Sequence, residues 1–328
     1  MPLASQFGIK AESTFATAVT VDRFFEFVDE DISPNVGRIK VVTKRAGQRV
    51  RRGDRSTPYL NGASGTLAMP VMTKNHGILF GLAMGAIATT GPTDSAYTHT
   101  ATIGALDGDF FTAQADRPFN PSGTSQAFTW AGCKITSAEW SMTTGEAGYL
   151  TAKYGIDAAT QATGTALASA SYVASSEPHV WTGAAATIGG SAVEASDFTI
   201  SLTNAVKTDR HYLRSSATKK EQLENGMRTI AFSIGLDFVD LTQYNRVVSA
   251  TRAGMQSAVV LTVTGPTLLG ATTYPSVTFT MPQAEFGDVQ GVNAGGDDPI
   301  KMTLTGEATY DGTNSPLTIA YVSGDTTA

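Results

Sequence analysis

Phe24-Phe25-Glu26-Phe27-Val28-Asp29-Glu30-Asp31-Ile32-Ser33-Pro34-Asn35-Val36-Gly37-Arg38 and Asp197-Phe198-Thr199-Ile200-Ser201-Leu202-Thr203-Asn204-Ala205-Val206-Lys207-Thr208-Asp209-Arg210 share one pattern. Each opens as a short alternating strand and runs into a basic loop that ends at Asn-Gly, Asn61-Gly62 in one case and Asn225-Gly226 in the other. Each then continues as strand, helix, glycine stop (Gly85, Gly254) and further strands. A doubled unit of strands with no evident catalytic residues predicts assembly rather than chemistry.

Period-2 alternation marks the strands. Ile230, Phe232, Ile234, Leu236 and Phe238 alternate with small or polar neighbours, and Leu67, Met69 and Val71 hold the equivalent place in the first copy. Val259, Leu261 and Val263, then Val277, Phe279 and Met281, then Ile300, Met302 and Leu304 give three more strands, and Leu317 to Val322 another. Trp140 and Met142, the turn Gly145-Glu146-Ala147-Gly148, and Leu150, Ala152 and Tyr154 read as a hairpin with glycine at the positive-φ positions. Two helices interrupt the strands. One is expected over 241–253, with Asp240 as cap, Gln243 in capping-box position, an apolar face of Leu241, Tyr244, Val247 and Val248, and Gly254 as stop. The other has Thr73 as cap, Ile78, Leu79, Leu82 and Ala83 as its apolar side and Gly85 as stop. The predicted organisation is mainly β: two tandem β-sandwich units from an internal duplication, each with a flanking α-helix. The first unit spans 1–157 and the second 196–328, joined over 158–195 by a linker and a first hairpin.

Composition agrees. The 328 residues are 41% hydrophobic and 16% charged, below the usual share of about 25% charged, and small residues with glycine-marked turns favour an all-β chain. A single cysteine, Cys133, excludes an intrachain disulfide. The amino terminus has no basic and apolar leader pattern. The longest apolar run, 77–88, falls short of the ~20 residues that span a bilayer, so a cytoplasmically folded protein without a membrane anchor is expected. The net charge of −6 hides a segregation: eight basic residues and one acid lie between Arg38 and Arg55, leaving 15 basic and 28 acidic groups, a balance of −13, elsewhere.

Chemistry-bearing motifs are few. No nucleophile elbow, phosphate loop, zinc-protease helix or EF-hand pattern occurs. Asp107-Gly108-Asp109 and Asp297-Asp298 carry oxygens that suit a hard cation, but such clusters more often form turns, and no metal or cofactor is assigned. His76, His99, His179 and His211 lack sequence-adjacent partners and are expected to be solvated or to cap. Arg52-Gly53-Asp54 spells an attachment tripeptide inside an arginine-rich loop, a three-letter match of the kind chance supplies. The acids Asp22, Glu26, Asp29, Glu30 and Asp31 are expected to form a solvated face rather than a catalytic group. The basic loop, with Lys44, Arg45, Arg49, Arg51, Arg52 and Arg55, has three readings. It could neutralise nucleic-acid phosphates, be a plain solvated loop, or order a neighbouring subunit by pairing with its carboxylates.

Taken together, Phe7-Gly-Ile-Lys-Ala-Glu-Ser-Thr-Phe-Ala-Thr-Ala-Val19 with Arg23-Phe-Phe-Glu-Phe27, Trp130-Ala-Gly-Cys-Lys-Ile-Thr-Ser-Ala-Glu-Trp140, Lys153-Tyr-Gly-Ile-Asp157 and Glu307-Ala-Thr-Tyr-Asp-Gly-Thr-Asn-Ser-Pro-Leu-Thr-Ile319 resemble the tail tube (major tail) proteins of long-tailed bacteriophages. The resemblance runs over nearly the whole chain. It implies a structural virion protein, made in the bacterial host cytoplasm, whose β-sandwich assembles into rings stacked as a hollow tube for DNA. Three chains of a doubled unit would give a trimeric ring with pseudo-sixfold symmetry, six chains a hexameric ring. Implied partners are other copies of itself, tape measure, tail terminator and tail-tip proteins, and DNA passing without sequence-specific binding. The basic loop Lys44–Arg55 is then an arm touching the next ring. The inner tube of a contractile system would do the same physical job. A carbohydrate-binding β-sandwich using Trp130, Trp140 and Trp181 is the alternative, and a glycosidase would need a facing carboxylate pair that no spacing supplies.

Overall fold

Alternating apolar residues need a buried side, and here one core serves two sheet layers. The computed structural model describes residues 5–119, 124–293 and 299–328. In chain order its elements begin with β1 (Phe7–Ala11), β2 (Arg23–Phe25), β3 (Asp29–Glu30), β4 (Ser33–Lys40), β5 (Ser56–Pro70) and helix α1 (Gly77–Met84). There follow β6 (Gly85–Thr93), β7 (Ala96–Ile103), β8 (Phe111–Asp116), β9 (Ala127–Thr143), β10 (Thr151–Ala158), β11 (Thr160–Ala162), β12 (Ala184–Ile188), β13 (Ser191–Val193) and β14 (Ala195–Thr203). The chain ends with β15 (Val206–Lys207), β16 (Leu223–Glu224), β17 (Thr229–Asp237), short helices α2 (Thr242–Val247) and α3 (Arg252–Met255), β18 (Gln256–Thr264), β19 (Ser276–Gln290), β20 (Lys301–Ala308) and β21 (Thr318–Ser323).

The first layer runs β4–β5–β10–β9–β14–β17–β20–β19, every neighbour antiparallel. The second runs β6–β7–β21–β19–β18–β12–β13. Strand β19 enters both, its first half pairing with β21 and its second with β20. The amino-terminal half of β9 also carries a small sheet, β2–β1–β8–β9–β11. Period 2 sends Trp140, Tyr154, Ile200, Ile234 and Leu304 inward from the first layer, against Phe279 and Tyr321 of the second. Trp140 is fully buried, with ring centroids 6.0 Å from Phe80, 5.6 Å from Phe279 and 6.4 Å from Tyr154. Its indole Nε1 donates to Tyr154 Oη at 3.3 Å, so the polar edge of the largest core ring is satisfied. Residues from both halves of the sequence share this single hydrophobic cluster.

Local signals worked where glycine geometry decides the backbone. Gly85 ends α1 in the left-handed region at φ +89, and its N–H reaches the Gly81 carbonyl, as expected for a helix stop. Gly145 turns the β9–β10 hairpin at φ +116. Asn61-Gly62 does not close the first loop as expected. It lies inside β5, where Gly62 sits at φ +72 and any Cβ would overlap the Ala158 carbonyl. The helix expected over 241–253 is two short helices. Thr251 starts the second by accepting from Gly254 N, and Ser249 Oγ bonds Thr251 at 3.3 Å. Ser and Thr hydroxyls compete with the backbone for hydrogen bonds, so this stretch breaks the helix, and Gly254 lies within α3 rather than ending a helix. Asp240 accepts from Thr242 N, while Gln243 bonds Arg246 instead of completing a capping box. Thr73 is not the cap of α1, whose first residue follows His76; its hydroxyl accepts from Glu177 N.

Three of the four histidines are buried rather than solvated. His99 bonds Thr89 and Ser323, and His76 Nε2 lies 2.8 Å from Tyr154 Oη. His179 has no side-chain partner for its ring among the described residues, and only the Val263 backbone stands close enough to oppose the effect of its burial. Burial, with the neighbouring His179 adding to it, lowers His76 to about 3, and burial lowers His179 to about 4. An unfolded histidine takes up its proton near 6.5, so below that pH the unfolded chain binds protons that the folded one refuses. Stability therefore rises with pH through this window and is lost on acidification from 6.5 towards 4, by up to about 1.4 kcal/mol per pH unit per histidine. His179→Leu is expected to flatten this slope in urea titrations between pH 4 and 6.5; an unchanged slope would refute the assignment.

Candidate functional site

The outward side of the first layer is set by the same alternation that builds the core. Register places Pro70, Thr151, Ser141, Thr199, Ser233, Thr305 and Asp288 in one row across the strands. The adjacent outward row is Asp29, Ala68, Lys153, Glu139, Ser201, Ala231, Glu307 and Glu285. Hydroxyls and carboxylates dominate, with Lys153 the one cation of the two rows. Such a wall stays hydrated and offers few groups that would hold a phosphate, since phosphate retention needs clustered Arg and Lys.

This layer ends in two edges that are unpaired among the described residues. The outer edge of β4 has no partner beyond β5, and past Glu285 the outer edge of β19 has none either. Free strand edges are templates for pairing with another chain. In the middle of the layer, β9 and β14 join through seven consecutive residue pairs, Asp197↔Thr143 to Thr203↔Ser137. There the first four strands receive the next four.

Two loops rise from this layer, one at the β4 edge and one at the central β9–β14 joint, and they differ. Residues 41–55, between β4 and β5, hold all six arginines and lysines expected to form a contact arm. Lys44, Arg45, Arg49, Arg51 and Arg55 are exposed, and among the described residues only Arg52 of the six makes a close ion pair, 2.7 Å to Asp54 within the loop. The Arg52-Gly53-Asp54 tripeptide is thus folded on itself; the pair lowers the Asp54 carboxyl and raises Arg52. Solvent-exposed pairs of this kind add little stability. Val36, Ile39, Val41, Val42 and Val50 on the same hairpin are exposed as well. Clustered exposed apolar side chains mark surfaces that another molecule covers. The sequence carried this signal in Val41-Val42, but charge alone drew attention to the loop.

Residues 204–228, between β14 and β17, are anchored instead. Lys219 Nζ lies 2.8 and 2.7 Å from the two oxygens of Asp157, and Gln222 Nε2 reaches the same carboxylate at 2.7 Å. Lys134 Nζ, fully buried, binds Glu221 at 2.7 Å and the Leu106 carbonyl. Arg228 reaches the Met84 and Gly104 carbonyls, and Asn204 those of Ala83 and Ile135. Burial pushes the Asp157 carboxyl upward against the opposing pull of Lys219 and Gln222. No sequence pattern flags this cluster, because its partners come from separate strands and one loop.

The other candidates fall apart in space. Of the acids around Glu26, Asp22 pairs with Lys10 and Asp31 accepts from Thr66 N, while Glu30 is not solvated: it is buried against Arg117. Asp107-Gly108-Asp109 is a turn whose Gly108 N–H donates to Glu221, and Asp297-Asp298 lies outside the described residues. Among the described residues, no group of three or more His, Cys, Asp or Glu is placed to hold a metal ion. Trp130 and Trp140 are fully buried and Trp181 alone is exposed, so the aromatic platform of a sugar-binding face is not formed by these three. No helix among the described residues is long and apolar enough to cross a membrane.

Comparison with protein families matches residues 3–315 to a model described as phage tail tube protein. No curated protein matches the chain.

Proposed function

The chain belongs to the phage tail tube protein family, and from that premise we propose that it polymerises into stacked rings forming the conduit through which the genome reaches the host. It is a structural protein of the virion tail. The observation that carries the ring is the first layer itself. Strands β4–β5–β10–β9 and then β14–β17–β20–β19 follow one order twice, and the β9–β14 joint adds the second set to the first inside one chain. Repeating that joint between chains, with the free β19 edge receiving the β3–β4 edge of the next copy, closes a ring. Both edges then find their hydrogen bonds, a strong reason to assemble.

In this reading the chain is two tandem units of 1–157 and 196–328 linked by 158–195, and three chains give a trimeric ring with pseudo-sixfold symmetry. The hydroxyl and carboxylate rows line the lumen, where a neutral to acidic wall lets DNA slide. The arm that carries Lys44, Arg45, Arg49, Arg51, Arg52 and Arg55 reaches the next ring with its tip. Tape measure, tail terminator and tail-tip proteins complete the tail, assembled in the host cytoplasm. Negative-stain microscopy of the purified protein with ring averaging, together with native mass measurement, is the test. Stacked rings of three chains are expected. Six chains per ring would remove the pseudo-sixfold reading, and monomers that never form tubes at high concentration would remove the conduit.

A further inference from the structure

Each four-stranded half of the first layer carries an arm between its first two strands, and only one of the two arms is seated. Residues 204–228 lie across the end of β10, with Lys219 on Asp157, Gln222 beside it and Glu221 on Lys134. The row that holds Thr151 and Thr305 sets the correspondence between β10 and β20. Asp157 follows Thr151 at the spacing at which Asp311 follows Thr305, so Asp311 is the counterpart of Asp157. The neighbouring counterpart pair is Ile156, buried, and Tyr310, which is 63% exposed. Glu285 and Glu307 stand directly opposite each other nearby, and neither they nor Asp311 has a cation within ion-pair distance among the described residues. Among the described residues, the second half thus carries the counterpart of Asp157 just past the end of β20 with no cation paired to it, while no carboxylate outside the first arm pairs with that arm's arginines.

We propose that the root of the first arm, Arg51, Arg52 and Arg55, docks on Asp311 and the adjacent carboxylates of a second copy in the same ring, repeating between chains the seat that Lys219 takes on Asp157 within one chain. This rests on the reading of the chain as two tandem units in a ring. The chemistry is complementary. Asp311 accepts from Thr313 N and Asn314 N at Oδ1 and from Asn314 Nδ2 at Oδ2, which fixes its carboxylate and leaves Oδ2 with a lone pair for one guanidinium N–H. Tyr310 supplies an exposed ring over which a guanidinium can stack. Val41, Val42 and Val50, exposed on the arm, would be covered by the same contact. With its root held by the lateral neighbour, the arm keeps Lys44, Arg45 and Arg49 at its tip to meet the next ring.

Cross-linking in assembled tubes tests this directly, because the native thiol, Cys133, is fully buried and raised in pKa by that burial. The chain carrying both Arg52→Cys and Asp311→Cys is assembled, treated with a short bismaleimide and run on a denaturing gel. A ladder that stops at the number of chains in one ring is expected. A ladder that continues beyond it would place the arm root between rings and overturn the proposal. The pair Arg55→Cys with Tyr310→Cys leaves the Asp311 turn intact and serves if the first pair perturbs folding. Tubes that form but give no cross-link with either pair overturn the seat while leaving the tube reading standing. Failure of the unmodified chain to form tubes would instead sink the tube reading.

Discussion

Asp157→Ala is expected to destabilise the monomer by about 3–5 kcal/mol, the usual cost of removing one partner from a buried ion pair. The pair qualifies because both side chains are nearly inaccessible, 2% exposed for Lys219 and 7% for Asp157. Alanine leaves the Lys219 ammonium without its carboxylate in a site where Gln222 offers only donors towards that position. The cost arises from stranding a charge and not from the worth of the pair, so Asp157→Leu combined with Lys219→Met should recover most of the loss. Urea unfolding followed by fluorescence measures both, and limited proteolysis reports the second consequence: residues 204–228, released from β10, become cleavable before the core opens. Lys10→Ala provides the contrast, since the Lys10–Asp22 pair is well exposed and its loss should cost no more than about 1 kcal/mol. A drop for Asp157→Ala as small as that of Lys10→Ala would show that the loop is held by something else.

What the sequence could and could not disclose follows from the range of each interaction. Strands β17, β18, β19 and β20 were readable because alternation is a property of neighbours, and Gly85 and Gly145 because their backbone angles are local demands. The broken helix at 242–255 was missed although its cause is local: the hydroxyls of Ser249 and Thr251 outbid the apolar stripe. The buried histidines were missed for a different reason. His76 and His179 lie in the core through contacts with residues far along the chain, and the chain around them gives no sign of it. The same holds for the anchors of the second arm. Lys219 and Lys134 look like surface lysines, and only the fold brings Asp157 and Glu221 to them. For the candidate site, the basic arm was legible as a charge anomaly, whereas the facing of Glu285 and Glu307, on the half proposed to receive it, depends on a register that only the fold sets.

Charge reversal of the first arm, Arg49→Glu with Arg51→Glu and Arg52→Glu, is expected to abolish tubes and leave the monomer folded. The two halves of this expectation have separate grounds. Arg49 and Arg51 form no ion pair among the described residues, and Arg52 pairs only within its own loop, so surface substitutions there should move stability by no more than about 0.5 kcal/mol. Assembly by the proposed contact, in contrast, asks three guanidinium groups to face carboxylates of other copies, and reversed charges would set acid against acid at a desolvated contact. The same triple substitution to lysine is the informative control. It keeps the charge and loses the planar fork, so tubes should form more slowly and dissolve at lower salt than those of the unaltered chain. If the arm instead bound nucleic acid, the unaltered protein would retain DNA on a filter and the glutamate variant would lose that activity while still making tubes. Electron micrographs of the glutamate variant decide between the two: bare background with a normal unfolding curve supports the arm as an assembly contact, and ordinary tubes remove it, because no repulsive pair of that kind could then lie in the wall.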